Sequence, residues 1–139
     1  MILRFKLAFI LLLLPSKLMA NNIYFDEGLK LFKSEKFAEA KFKFEQNIVF
    51  NPKSEISYLY LSKIFENLKD KRLQEKNLNT VILLNPKNEE AIYYLAKLKL
   101  ETSDYQKSKE LNNRLNNICE KFCDKSNKLK IEIENLSKK

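Results

Sequence analysis

Apolar residues recur along this chain at helical spacing, and the helical segments themselves recur. Tyr24, Gly28 and Leu31 fall at i, i+4 and i+7, one face of a helix over 22–33. Ser34-Glu35-Lys36 is a short polar break. Phe37, Ala40, Phe44 and Ile48 then mark the inner stripe of a second helix over 37–50. Asn51-Pro52 stops it, because the residue before a proline avoids the α region. The same dipeptide returns as Asn85-Pro86, 34 residues later. The same step carries Gly28 to Ser62 and Ala96, and Tyr24 to Tyr58 and Ile92. A fixed period of this length with helical patterning predicts a solenoid of helix pairs.

The second unit of the period spans about 55–88. Ser54 stands at an N-cap position, and Tyr58, Leu61, Ser62 and Phe65 form the inner stripe of its first helix. Asp70 turns the chain into a second helix that ends at Leu84. There Lys71 and Gln74 break the pattern, while Leu78, Val81, Ile82 and Leu84 keep an apolar side. Looser packing is expected around Gln74. The third unit spans about 89–120, with Asn88 as cap and Ile92, Leu95 and Ala96 in place. Lys99 stands where a large apolar residue is usual, and Asn112 and Asn116 dilute the stripe of Tyr105, Ser108 and Leu115. No third Asn-Pro follows; Cys119-Glu120 stands there. A last helix over about 124–137, with Leu129, Ile133 and Leu136 at i, i+4 and i+7, is expected to cap the stack.

Composition narrows the picture little. The chain has 139 residues, one Gly and three Pro, as long helices require, and its length suits one domain, expected over 21–139. The formal charge is +8, and Arg4, Lys6 and Lys17 precede Asn21 without any acid, leaving +5 for the remainder. Those lysines are scattered among acids, so the basic runs of a nucleic-acid binder are missing.

The first twenty residues have their own logic. Arg4 and Lys6 precede an unbroken apolar run, Leu7 to Leu14; Pro15 follows, and Leu18-Met19-Ala20 precedes two asparagines. This is the order of a secretory signal at 1–20, cut after Ala20. The run is too short to cross a bilayer as a mature helix, which takes about 20 residues. Export from a bacterial cytoplasm to the periplasm is the expectation; retention as an inner-membrane anchor is the alternative.

The repeat resembles the tetratricopeptide repeat (TPR) family over 22–120. Tyr24, Gly28, Leu31, Phe37, Ala40, Phe44 and Pro52 match its alternation of aromatic, small and large positions. The resemblance is to a small exported bacterial TPR protein. It implies an all-α, right-handed solenoid of three TPR helix pairs plus a C-terminal capping helix. It also implies a concave groove lined by the first helices. Here that lining is Phe25, Leu29, Phe32 and Lys33, then Leu59, Lys63, Glu66 and Asn67, then Tyr93, Lys97, Leu100 and Glu101. An apolar, aromatic groove with lysines at its edge suits a protein or peptide segment carrying some acidic groups. TPR domains that grip the C-terminal carboxylate of heat-shock chaperones use Lys, Asn and Arg. The matching positions here are Phe25, Leu29, Tyr60, Glu90 and Tyr94, so that activity is not implied. The implied function is that of a protein-binding adaptor or scaffold of the bacterial cell envelope. Phe42, where the second helix normally faces solvent, opens the alternative of a structural homo-oligomer.

Catalysis has no support in the residues. There is no His, no Gly-rich phosphate loop and no nucleophile elbow. No cofactor or metal is expected. Cys119 and Cys123 are the only thiols; four residues apart on a helix their Cα atoms would lie about 6 Å apart, within disulfide range. In an oxidising compartment a disulfide is expected. Two buried free thiols, or a metal site with half its shell empty, are the alternatives. A Cys pair between the last repeat helix and the cap also resembles a recurring feature of exported bacterial TPR proteins.

Overall fold

The computed structural model describes residues 16–137, with side chains from Ile23 onward, so most of the expected leader at 1–20 lies outside the described residues. Seven helices follow in order: α1 (Ser16–Lys33), α2 (Phe37–Phe50), α3 (Glu55–Asn67), α4 (Lys71–Leu84), α5 (Glu89–Glu101), α6 (Tyr105–Ile118) and α7 (Cys123–Leu136). The described residues are all-helical. Helix α1 begins earlier than the stripe from Tyr24 indicates, since no proline or glycine stands between Ser16 and Asp26 to interrupt it. Among the described residues no helix is long and apolar enough to cross a membrane. The chain divides into two compact units at Pro52 and Lys53.

The first unit is the hairpin of α1 and α2. Its crossing is set by Gly28. A Cβ built there would lie 2.9 Å from Cε1 of Phe44, which has no exposed surface. The missing methyl is what lets the ring lie against the α1 backbone. Tyr24 stacks on Phe50, with ring centroids 5.4 Å apart, and Phe32 meets Phe37 edge-on at 5.6 Å. Aromatic contacts of this kind contribute about 0.5–1.5 kcal/mol each beyond area burial.

The second unit contains two more hairpins, α3–α4 and α5–α6. Helix α5 also packs on α4, and α7 packs on α6. One core runs through it, with Leu78, Val81, Ile92, Leu98 and Leu115 at its centre and Leu129 and Ile133 sealing it from α7. Each such side chain adds about 1.5–3 kcal/mol through removal from water. At the third crossing the Ser108 hydroxyl donates to the Ala96 carbonyl at 2.8 Å. Gln74 is buried, so the expectation of looser packing gives way to a polar side chain inside the core.

The three intra-hairpin turns share one geometry. Glu35, Lys69 and Ser103 have φ of 57°, 58° and 61°, each 34 residues from the last. In the first turn the Glu35 N–H donates to the Phe32 carbonyl and the Lys36 N–H to the Leu31 carbonyl, both 3.0 Å. The other two turns repeat the pair through Lys69 and Asp70, then Ser103 and Asp104. This is the left-handed helix stop that usually takes glycine. Asp70 and Asp104 then cap the following helices, accepting from Leu73 N–H at 2.9 Å and Lys107 N–H at 3.2 Å. Asn88 caps α5 as its sequence position indicates, accepting from Ala91 N–H at 2.9 Å. Ser54 does not act as a cap: its hydroxyl donates to Ser57 Oγ at 2.9 Å instead.

Two substitutions test this account. Gly28→Leu is expected to overpack the first crossing and cost roughly 1–3 kcal/mol or more, read as loss of α1–α2 protection in hydrogen exchange. Lys69→Gly is expected to relieve left-handed strain and raise thermal stability by about 0.5–1 kcal/mol; a lowered melting temperature would refute the strain argument.

Candidate functional site: the face of α3 and α5

Helices α3 and α5 are the first helices of successive hairpins and carry equivalent residues 34 apart, so Lys63 answers to Lys97 and Leu59 to Tyr93. Ion pairs join them side by side. The Lys63 ammonium lies 2.7 Å from a Glu90 oxygen. Lys97 stands between Glu66, at 3.6 Å, and Glu101, at 3.7 Å. Burial works against the Lys97 charge, but Glu66 and Glu101 outweigh it and raise its pKa above the usual lysine value. Lys63 also lies over the Tyr60 ring, 5.0 Å from its centroid. The lysines expected to meet acidic groups of a partner are therefore already neutralised by acids of the same face.

The rings form a second part of the site. Tyr93 meets Tyr94 edge-on at 5.4 Å and Phe122 at 5.6 Å, and Lys125 covers Phe122 at 4.3 Å and Tyr93 at 5.4 Å. Burial is the main cause that pushes the Tyr94 phenol above its ordinary pKa. Leu59 and Leu100, expected to line the groove, are instead core residues, 3% and 5% exposed. Both join the apolar core of the second unit, while Lys63, Tyr93 and Lys97 beside them are only partly covered. Asn67 is exposed, but its amide donates to the Lys63 carbonyl at 2.9 Å, within its own helix.

The remaining expected residues belong to the first unit. Phe25 is half-buried against Phe44, with centroids 5.7 Å apart, and Phe32 packs on Phe37, so both serve the hairpin. Leu29 is half-buried and Lys33 exposed. Phe42 is 58% exposed, on the outer side of α2, with Val49 one heptad on at 75%.

Four participants were missed by the sequence pattern. Ile131 is 60% exposed and stands 34 residues after Lys97, so the period places it on the same line of the repeat. Phe122 and Lys125 extend the ring cluster from the start of α7. The fourth is Glu89, in the first turn of α5. Its carboxylate accepts from the N–H groups of Glu120 at 3.0 Å, Lys121 at 3.0 Å and Phe122 at 2.8 Å. Desolvation opposes the charge, but the three backbone hydrogen bonds outweigh it and hold the pKa below the usual carboxylate value. Glu55, 34 residues earlier, does the same for the preceding loop: it accepts from Asn85 at 3.2 Å and Asn88 at 3.4 Å. The Arg114 guanidinium donates to the Pro86 carbonyl of that loop as well. Cys119 and Cys123 are joined by a disulfide, with Cα atoms 5.3 Å apart, across the loop that leads into α7.

No family model matches the chain, and no curated protein matches it. Solved structures do. The first TPR domain of Spaghetti (RPAP3), bound to the HSP90 peptide SRMEEVD, is 16% identical, with a TM-score of 0.78, over 87% of this chain and 95% of that one. The TPR2B domain of yeast Sti1, in complex with pHsp70, is 14% identical, with a TM-score of 0.79, over 85% and 98%. The Yersinia enterocolitica type III secretion chaperone SycD, in complex with a peptide of the translocator YopD, is 13% identical, with a TM-score of 0.75, over 85% and 94%. The chain thus has a tetratricopeptide-repeat fold.

Glu89→Gln is expected to loosen the α6–α7 loop and cost about 1 kcal/mol after allowance for solvent screening. The folded pKa of Glu89 is depressed, so its contribution is present above the unfolded value and lost as pH falls through the folded one, from about 4.5 downward. Thermal melts across that range should show less acid dependence in the variant than in the parent chain.

Proposed function

We propose that this chain is a non-enzymatic protein-binding adaptor, a TPR protein that holds a segment of another protein on the face built by α3 and α5. The observation that carries this is the cross-helix arrangement of Lys63, Glu90, Glu66, Lys97 and Tyr93, a surface of rings set in paired charges. Rings with a rigid backing bind with little loss of side-chain entropy. The similar domains of Spaghetti, Sti1 and SycD are each described with a bound peptide or chaperone partner, which supports binding as the activity.

The chemistry of the bound segment differs from an acidic chaperone tail. The positions that would clamp a terminal carboxylate include Tyr60, Glu90 and Tyr94, and Glu90 already engages Lys63. An acidic peptide would have to break that pair. A segment with apolar and aromatic side chains meets Tyr93 without doing so. The working place of the protein is the bacterial cell envelope. Arg4, Lys6 and the Leu7–Leu14 run support export to the periplasm with removal of residues 1–20. Retention of that segment would make the same domain a membrane-tethered scaffold.

A second reading is a homo-oligomer, favoured by exposed Phe42 and Val49 on one side of α2.

Photo-crosslinking in intact cells decides among these. A reactive side chain at Tyr93 should capture one envelope protein, whereas one at exposed Lys76 should not. Capture of the chain by itself would favour the oligomer, and equal capture from both sites would overturn the groove. The mass of the purified native protein should begin at Asn21; a retained Met1 would mean the tethered form.

A further inference from the structure

Three contacts converge on the short loop between α6 and α7. The Cys119–Cys123 disulfide closes it. The N–H groups of Glu120, Lys121 and Phe122 all point at Glu89. The Phe122 ring lies on Tyr93. Glu89 and Tyr93 are four residues apart, one turn of α5, so the loop grips that helix at two adjacent points, one polar and one aromatic.

The preceding junction is built differently. There Asn85-Pro86 stiffens the loop and Glu55 holds it through the Asn85 and Asn88 amides. One period later Asn85 becomes Cys119, Pro86 becomes Glu120 and Glu89 becomes Cys123. The disulfide thus stands where a proline constrains the other loop. Proline acts permanently; a disulfide acts only while oxidised. Both cysteines are half-exposed and open to a reductant.

We infer that the Cys119–Cys123 disulfide is a redox latch on the end of the α3/α5 face. Closed, it aims three amides at Glu89 and sets Phe122 against Tyr93. Opened, it frees the loop and takes Phe122 off the face. Opening needs a dithiol. One of its thiolates attacks a cysteine sulfur, the S–S bond breaks, and a mixed disulfide forms. The second thiol then displaces the cysteine. The two cysteines gain two electrons and two protons, and the donor becomes a disulfide. The effect on partner binding rests on the binding role proposed above; the loop's release does not.

The test is amide hydrogen exchange on the full folded chain with and without dithiothreitol, with two free thiols per chain confirmed by alkylation. Reduction should speed exchange at 120–122 by about tenfold and leave the α3–α4 amides unchanged. The Cys119→Ser/Cys123→Ser double variant should match the reduced protein and ignore the reductant. Glu89→Gln should release the same amides with the disulfide intact. Unchanged protection at 120–122 with both thiols free would overturn the latch. So would a rise spread across α3 and α4, which would make the bond a general brace. Neither result bears on Tyr93 crosslinking, so failure of the latch and failure of the binding role are read separately.

Discussion

The close crossing of the two helices in each hairpin is the constraint on which the remaining structure depends. At Gly28 there is room for the Phe44 ring only because a side chain is missing. At Ala96 the crossing is near enough for the Ser108 hydroxyl to reach the backbone carbonyl. Once two helices cross at a set register, the turn joining them has a set length. The left-handed residue then falls at Glu35, Lys69 and Ser103 in succession. None of these is glycine, so each turn accepts a backbone conformation that costs an L-residue about 1–2 kcal/mol. The chain's single glycine is used for close approach instead.

Within the second unit the loop that follows each hairpin is held by a carboxylate, beside the apolar core that the hairpins share. Glu55 and Glu89 occupy the same place, in the first turn of a helix, where the helix N-terminus favours a carboxylate. Each reaches across to the loop at the far end of its own hairpin and accepts the loop's donors. The two loops offer different donors, asparagine amides in one case and bare backbone in the other. The carboxylate is common to both. Glu89 and Glu90 then divide two tasks between neighbouring residues, because successive helical side chains point about 100° apart. One holds the loop and the other faces Lys63.

Two residues that break the apolar pattern, Lys99 and Asn112, are met by partners on other helices. Lys99 is largely buried and puts its ammonium 2.7 Å from Glu75 of α4. Asn112 is buried in α6, where its amide donates to the Ser126 carbonyl at 3.0 Å and its oxygen accepts from the Ser126 hydroxyl at 3.0 Å. That pair docks α7. Asn112 is therefore not a gap in the stripe; it is the polar half of the joint with the last helix. A buried amide without Ser126 would cost about 1–3 kcal/mol.

The sequence by itself determined the helices and their order. The 34-residue step, the small residues at 28, 62 and 96, and the two Asn-Pro stops are local signals, and α2 and α4 end where those stops stand. Local signals suffice there because helix ends and turns are settled by backbone preference within a few residues. The proposed binding face was legible only in outline. Periodicity assigns Leu59 and Leu100 to the same side as Lys63 and Lys97. Which of them is covered depends on how the helices of the second unit pack into one core, and both leucines are covered. Likewise, lysine at a groove position reads as free charge until Glu66 and Glu90 are brought beside it. Those two acids come from the neighbouring helix, so their pairing exists only once α3 and α5 stand together. The tertiary structure alone decided that these charges are paired among themselves and that Phe122, from the far side of α6, completes the ring cluster.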